Sequence, residues 1–279
     1  MSLTVSHRIG DIDVTILTDG ATTFDADLFS PAEPDHIAAL LKSAGESAIR
    51  TNFNASVIRT GGKVVLVDTG PRDLFGPECG NLPAALAEAG VDPAEVQTLF
   101  LTHLHPDHAA GAVDKDGRAI FANAELVLME DDRTYWADDA RFSGADDTTK
   151  SWQELAKAVL AAYGDRLRPV SGAAQIAPGM TALPLPGHTP GHAGYRLVSG
   201  DAQMVHVGDI VHAQALQLAD PEISVAFDLD GDMARAARKR LLDEVATDGI
   251  LCTGGHFIQP KLARIERDGA GYRAVDPTR

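Results

Sequence analysis

The segment Leu101-Thr102-His103-Leu104-His105-Pro106-Asp107-His108 places three imidazoles and a carboxylate within six residues. In an extended chain, residues two apart point the same way, so His103 and His105 can converge on one ion as a strand ends. Pro106 cannot continue a strand ladder but suits the first turn of a helix, so the chain is expected to turn there. Asp107 and His108 then project from that turn toward a neighbouring position. This nitrogen and oxygen donor set suits zinc or a similar divalent ion. A single His is ordinarily a surface or packed residue, but that does not explain four ligand-type residues at this spacing. Three later places repeat the theme of a ligand-type residue in a loop just beyond a strand. They are His188 in Pro186-Gly187-His188-Thr189-Pro190-Gly191-His192, Asp209 in His206-Val207-Gly208-Asp209, and His256 in Thr253-Gly254-Gly255-His256.

The elements that must carry these residues alternate between strand and helix patterns. Residues 12–18 alternate as a strand that Asp19-Gly20 is expected to close. Residues 21–54 hold no clean period and read as a long excursion with one short helix near 35–44. Residues 55–59 and 63–67 flank Gly61-Gly62, a hairpin signal. Residues 81–90 read as a capped helix with Pro83 in its first turn. Residues 97–102 form a short apolar strand that runs into the His cluster. Beyond it, helices are expected at 130–137, 151–163 and 233–247. Strands are expected near 125–128, 167–170, 180–184, 193–198, 202–207 and 250–253. No low-complexity linker or composition break interrupts the chain, so residues 1–279 read as one domain of the α/β or mixed-layer class.

Composition narrows the function further. The chain has 24 Lys+Arg against 40 Asp+Glu, a formal net charge of −16 with its ten His counted neutral. Nucleic-acid phosphates are bound by Lys and Arg, so no nucleic-acid partner is expected. Hydrophobic residues make up 44%, which excludes general disorder. No apolar run approaches the roughly 20 residues of a membrane span, so no membrane partner is expected. Two cysteines, Cys79 and Cys252, make no disulfide framework, and a cytoplasmic location is the expectation.

The His-x-His-x-Asp-His run, followed by a separate His, Asp and His, resembles the metallo-β-lactamase superfamily over nearly the whole chain. So does Val67-Asp68-Thr69-Gly70 upstream of the run. Within the superfamily the chain looks closest to the methyl parathion hydrolase-like and N-acyl homoserine lactonase-like dinuclear zinc hydrolases. Gly187-His188-Thr189-Pro190-Gly191-His192 and Gly208-Asp209-Ile210-Val211-His212 favour that branch. The resemblance implies an α+β fold, the αββα sandwich of two mixed sheets face to face with helices on the outer faces. It implies His103, His105 and His188 on a first metal, and Asp107, His108 and His256 on a second, with Asp209 bridging both. The implied cofactors are two divalent ions, zinc first, with Mn2+, Fe2+ and Co2+ as the other candidates. His105 stands where the flavodiiron branch carries a carboxylate, which lowers the case for a redox di-iron site. His108 and Asp209 stand where antibiotic-hydrolysing members carry Arg and Cys, so antibiotic hydrolysis is not expected. Relatives are often dimers, and a homodimer is expected on that ground.

Two metals in such a site can share a hydroxide, because cation charge lowers the pKa of bound water toward about 7. That hydroxide is expected to attack a carbon or phosphorus centre while the metals hold the developing oxyanion. Asp107 is a candidate for orienting the nucleophile or shuttling its proton. His212 stands where the lactonases carry a mechanistic Tyr, which makes it a candidate proton donor, with a plain loop role as the alternative. Asp68 reads as the outer partner of a ligand His. His192 reads as a strand-edge structural residue and His206 as a hydrogen-bonded core residue. For a pocket wall the candidates are Phe24, Leu28, Phe29, Trp136, Phe142 and Phe257; all read as core except Phe257, which His256 anchors near the metals. Aromatics are 5% of the chain, which gives no sign of a pocket built for large aryl groups. Arg50, Arg59 and Arg72 read as surface residues.

The expected activity is therefore hydrolysis of a small-molecule lactone, aryl ester or organophosphate. A glyoxalase II-like thioesterase uses similar ligands but needs basic residues for glutathione's carboxylates. No Lys/Arg cluster follows His256 until Lys261, Arg264 and Arg267, which makes that reading weaker. A mononuclear-iron, persulfide dioxygenase-like oxidoreductase would use His103, His188 and Asp209 with one iron. Metal content separates these readings.

Overall fold

The structure, a computed structural model, describes residues 2–259 and 261–277. β1 (Thr4–Ile9) and β2 (Ile12–Phe24) open the chain as an antiparallel pair. β2 buries Ile12, Val14 and Ile16 on one face, as its alternation requires. It does not close at Asp19-Gly20: the pairing shifts register there and the strand runs on to Phe24. The reason is a different use for Asp19, whose buried carboxylate accepts the amides of Gly80 (3.0 Å) and Leu82 (2.6 Å). β3 (Phe29–Ser30), α1 (Pro34–Ala44) and β4 (Ile49–Thr60) follow. The expected excursion thus holds its helix, but both ends of it are strand, because Gly20–Phe24 pair with Phe53–Ile49 across the sheet. Cross-strand pairing, invisible to a local period, builds them.

β4 turns through Gly61-Gly62 into β5 (Lys63–Val67), as the hairpin signal predicts. Then come α2 (Leu82–Glu88), β6 (Thr98–Phe100), α3 (Pro106–Ala109), β7 (Glu125–Met129), α4 (Glu130–Ala137), α5 (Asp147–Tyr163) and β8 (Leu167–Val170). The second half runs β9 (Gln175–Ala177), β10 (Met180–Pro184), β11 (Ala193–Ser199), β12 (Ala202–His206), α6 (Gln214–Gln217), β13 (Ser224–Val225) and α7 (Gly231–Asp248). β14 (Leu251–Thr253), β15 (Ala263–Asp268) and β16 (Gly271–Val275) end it.

Among the described residues the strands make two seven-stranded mixed sheets, ordered β1-β2-β4-β5-β6-β7-β8 and β16-β15-β14-β12-β11-β10-β9, plus the small pair β3-β13. Val14, Ile16, Val65 and Phe100 of the first sheet share one core with Met180, Tyr195, Leu197 and Met204 of the second. Each such buried side chain contributes roughly 1.5–3 kcal/mol. On the outer faces, Leu86 and Val159 from α2 and α5 cover the first sheet, and Leu241 and Val245 from α7 cover the second. This is the helix-sheet-sheet-helix sandwich that the resemblance implies. Its topology gathers the ligand loops. β5, β6 and β7 run parallel, as do β12 and β14, so the segments after β6, β12 and β14 leave their sheets at carboxyl ends. Those segments carry His103, Asp209 and His256. No described helix is long and apolar enough to cross a membrane.

Candidate metal centre

As β6 ends, the buried Asp68 carboxylate takes over the chain by accepting the Thr102 amide (2.8 Å) and hydroxyl (2.9 Å). That hydroxyl lies 3.1 Å from His103 Nδ1, and Asp68 Oδ2 lies 2.8 Å from His108 Nδ1. Asp68 therefore aims one imidazole directly and another through Thr102, which is the outer-partner role expected of it. The chain turns at Pro106 as predicted, with His105 capping α3. The Leu104 amide is held by Asp132 on α4 (2.8 Å), whose other oxygen accepts from the Thr189 hydroxyl. One buried carboxylate so ties the His103–His105 loop to the His188 loop, and burial pushes its pKa up to about 6.

The remaining imidazoles are aimed the same way. His188 Nδ1 donates to Asp228 (2.9 Å) and His256 Nδ1 to the Asn52 carbonyl (2.9 Å). With each Nδ1 engaged outward, Nε2 of His103, His108, His188 and His256 is left for the centre. His105 instead presents Nδ1, 2.9 Å from His188 Nε2. The donor atoms of His103, His105 and His188 lie within 4.8 Å of one another, and so do those of Asp107, His108, Asp209 and His256. Asp209 Oδ2 stands between the groups, 3.0 Å from His108 Nε2, 2.9 Å from His256 Nε2, 3.5 Å from His188 Nε2 and 3.8 Å from His103 Nε2. Gly255 permits this approach, since a Cβ there would meet His108 Cε1 at 2.9 Å and Asp209 Oδ1 at 3.0 Å.

These residues fit two divalent cations. His103 Nε2, His108 Nε2 and Asp209 Oδ1 are buried without a hydrogen-bond partner. Each such orphan costs about 1–3 kcal/mol, and their convergence has no structural benefit unless a cation meets them. Burial holds His103 and His105 well below the ordinary imidazole range, the neutral state that a ligand needs. Burial acts likewise on His108 and His256, but the carboxylates of Asp209 and Asp107 overrule it and raise both. Asp107 and Asp209 are lowered in return by the imidazoles, against the effect of burial. The carboxylates thus demand positive charge at the centre.

Of the other candidates, His192 and His206 separate from the two donor groups, whereas His212 has its donor atom within 4.8 Å of those of His188 and Asp209. His192 lies near His103 and Asp209, yet Nδ1 donates to the Leu185 carbonyl (2.7 Å) and Nε2 accepts the Asp209 amide (2.9 Å). Both nitrogens are used, so it positions Asp209 structurally. His206 stacks on Tyr195 in the core and accepts the Gly208 amide (3.1 Å). His212 is buried with Nε2 3.3 Å from Asp209 Oδ2 and its ring stacked 4.7 Å from that of His256.

A narrow cleft opens over the centre, lined by Phe24, Phe53, Phe75, Trp152 and Phe227 together with His105, Asp107, His188, Asp209 and His212. Phe24 belongs to the wall, but Phe257 does not: it is fully buried against Val207, Ile210 and Cys252 behind the site. Leu28 and Phe29 pack with α1, and Trp136 and Phe142 stack in the core. The low aromatic content misleads, because five aromatic side chains from separate parts of the chain meet at this one cleft. Phe53, Phe75, Trp152 and Phe227 carry no sequence signal, nor do Asp132 and Asp228, since only the fold brings them to the ligands. None of Arg50, Arg59 and Arg72 lines the cleft.

The family described as the metallo-beta-lactamase superfamily matches residues 50–256. No curated protein sequence matches the chain. Among solved structures, the chain is similar to AidC, a dizinc quorum-quenching lactonase in complex with its product N-hexnoyl-L-homoserine. The TM-score is 0.91 at 23% identity, covering 99% of this chain and 98% of that one. It is similar to the hydrolase AbOPH of the beta lactamase superfamily at 27% identity and TM-score 0.91, covering 99% of this chain and 97% of that one. A probable metal-dependent hydrolase from Staphylococcus aureus aligns at 22% identity and TM-score 0.80, covering 97% of this chain and 99% of that one.

Proposed function

This chain belongs to the metallo-beta-lactamase superfamily, and we propose that within it the protein is a dinuclear metal-dependent hydrolase of small, uncharged ester-like substrates. A lactone, an aryl ester and an organophosphate all meet that description. The observation that carries the reading is the convergence of His103, His105, His188, Asp107, His108, Asp209 and His256 in two adjoining donor groups beneath an aromatic cleft. The dizinc lactonase AidC, alike in fold, supports zinc as the ion and a lactone as a substrate to test.

His103, His105 and His188 would hold one ion and Asp107, His108 and His256 the other, with Asp209 serving both. Two divalent ions there supply Lewis acidity toward the substrate oxygen and bring the pKa of water toward neutrality. The chain's own residues do the rest. The aromatic walls bind the apolar part of the substrate and exclude water, which strengthens polar interactions on the cleft floor. Asp107, whose side chain is 16% exposed, is the more open of the two acids that line the cleft, and its Oδ2 orients water or takes its proton. His212 lines the cleft beside Asp209 and holds or passes a proton at Nε2 for the leaving group.

A glutathione thioester fits less well. Among the described residues no Lys or Arg lines the cleft; Lys261 donates to the Thr18 hydroxyl, Arg264 to the Gly249 carbonyl, and Arg267 pairs with Asp243. The test is a substrate panel on zinc- and manganese-loaded protein, holding acyl-homoserine lactones, γ-lactones, aryl esters, phosphotriesters and a glutathione thioester. Turnover of one or more uncharged members is expected. Turnover of the thioester and of nothing else would overturn the reading.

A further inference from the structure

Behind the candidate metal centre lies a guanidinium with no exposure at all, that of Arg238 on α7. Its Nε donates to the Ile210 carbonyl, and its Nη1 donates to the carbonyls of Pro221 (2.9 Å) and Ile223 (2.7 Å). Its Nη2 lies 3.9 Å from Asp228 Oδ2. Asp228 accepts the Val225 amide on that oxygen (3.2 Å) and His188 Nδ1 on the other (2.9 Å). Gln217 shares the Ile223 carbonyl (3.0 Å) and accepts the amides of His212 (2.6 Å) and Ala213 (3.1 Å). One side chain thereby braces both ends of the excursion 210–228, which starts directly after Asp209 and ends at the partner of His188.

Packing does not account for a cation here. α7 already seats Ala234, Leu241 and Val245 against the sheet, so apolar contact alone does not call for a cation at position 238; what the guanidinium adds is donors for the carbonyls of Ile210, Pro221 and Ile223. Burying a cation costs several kcal/mol unless its partners offset it. Burial pushes the Arg238 pKa down to about 10, so the charge persists at neutral pH. What the charge obtains is a rigid planar fork across three carbonyls, which neither Lys nor an apolar side chain can reproduce.

We propose that Arg238 is a positioning residue for the metal centre: it fixes the 210–228 excursion so that Asp228 aims His188 and the anchored Ile210 carbonyl aims Asp209. The inference rests on the dinuclear reading above. The alternative is a scaffold role confined to joining α7 to the excursion.

The experiment compares R238M, R238K, D228N and the R238M/D228N double variant with the parent chain. Zinc affinity is read by competition with a chromophoric chelator, the ligand field by the visible bands of the cobalt-loaded protein, and folding by circular dichroism and Tm. Loss of an outer partner typically weakens metal binding about 10–100-fold, and that is expected for R238M and D228N, with displaced cobalt bands. If Arg238 acts through Asp228, the double variant is no weaker than the worse single variant by more than about threefold. R238K is expected to recover part of the affinity. A folded R238M with parental zinc affinity and cobalt bands overturns the proposal, as does a double variant whose losses simply multiply. Should R238M fail to fold, R238K decides: weakened zinc with parental Tm supports positioning, and parental zinc affinity refutes it. A parent chain that binds neither zinc nor cobalt would instead overturn the dinuclear reading itself.

Discussion

Replacing Asp68 with Asn changes almost nothing except the direction of hydrogen bonding. Asn matches the size of Asp and tolerates the φ of 57° at this position. The native carboxylate accepts from the Thr102 amide, the Thr102 hydroxyl and His108 Nδ1, all donors. An amide has one accepting oxygen and a donating NH2. If its oxygen stays 2.8 Å from the Thr102 amide, the NH2 falls opposite His108 Nδ1, which sits 2.8 Å from that second position. Donor then meets donor, unless the imidazole moves its proton to Nε2, the nitrogen the centre needs. A hydrogen bond to a charged group is worth about 1.5–3 kcal/mol, and about 1.4 kcal/mol is tenfold in an equilibrium constant. D68N is therefore expected to bind the His108-side ion about 10–100-fold more weakly, with the other ion less affected. Chelator competition with zinc reads both sites, and circular dichroism checks the fold. A folded D68N that binds two zinc ions with parental affinity would refute the reasoning.

Three other outcomes follow from the same geometry. Both tryptophans of the chain flank His105, with ring centroids 5.5 Å (Trp136) and 5.3 Å (Trp152) away, so titration with Cu2+ or Co2+ should quench most of the intrinsic fluorescence; unchanged emission at saturation contradicts the site. H212A should lose at least about tenfold in kcat while retaining both ions, as measured by metal analysis beside initial rates; loss of an ion would make His212 a ligand instead. Burial in the core lowers His206 from 6.5 to about 4. A folded pKa below the unfolded one means that its stability contribution is complete above pH 6.5 and lost as pH falls toward 4. Urea unfolding should show H206Q losing about 2 kcal/mol less than the parent between pH 7 and pH 5, and equal losses would reject that assignment.

The candidate metal donors are legible in the sequence because they sit in motifs whose spacing is set by a strand end and a proline turn. His103 to His108 needed no tertiary information, and the loops of His188, Asp209 and His256 followed from glycine-rich strand exits. The resemblance then supplied their grouping and the layered fold. What stayed hidden depends on contacts between distant segments. Phe53, in a stretch without a clean period, and Trp152, on an expected helix, give no sign of the cleft until the sheets close and the helix packs. Asp19 has the residue type of a turn but is spent on the amides at the start of α2, so β2 runs longer than its alternation shows. Asp132 and Asp228 are single acids among many in an acidic chain, and only burial beside ligand loops distinguishes them. Phe257 illustrates the opposite error: adjacency to His256 in sequence sent its ring away from the cleft, into the core.

Two ions held in one site would make this chain a hydrolase. Titrating metal-free protein with zinc while following hydrolysis of an uncharged lactone or aryl ester tests it most directly. No turnover is expected without metal, and the rate should rise to a plateau at about two equivalents per chain. Full turnover without metal, or a plateau at one equivalent with the Asp107, His108 and His256 donors left unfilled, would contradict it.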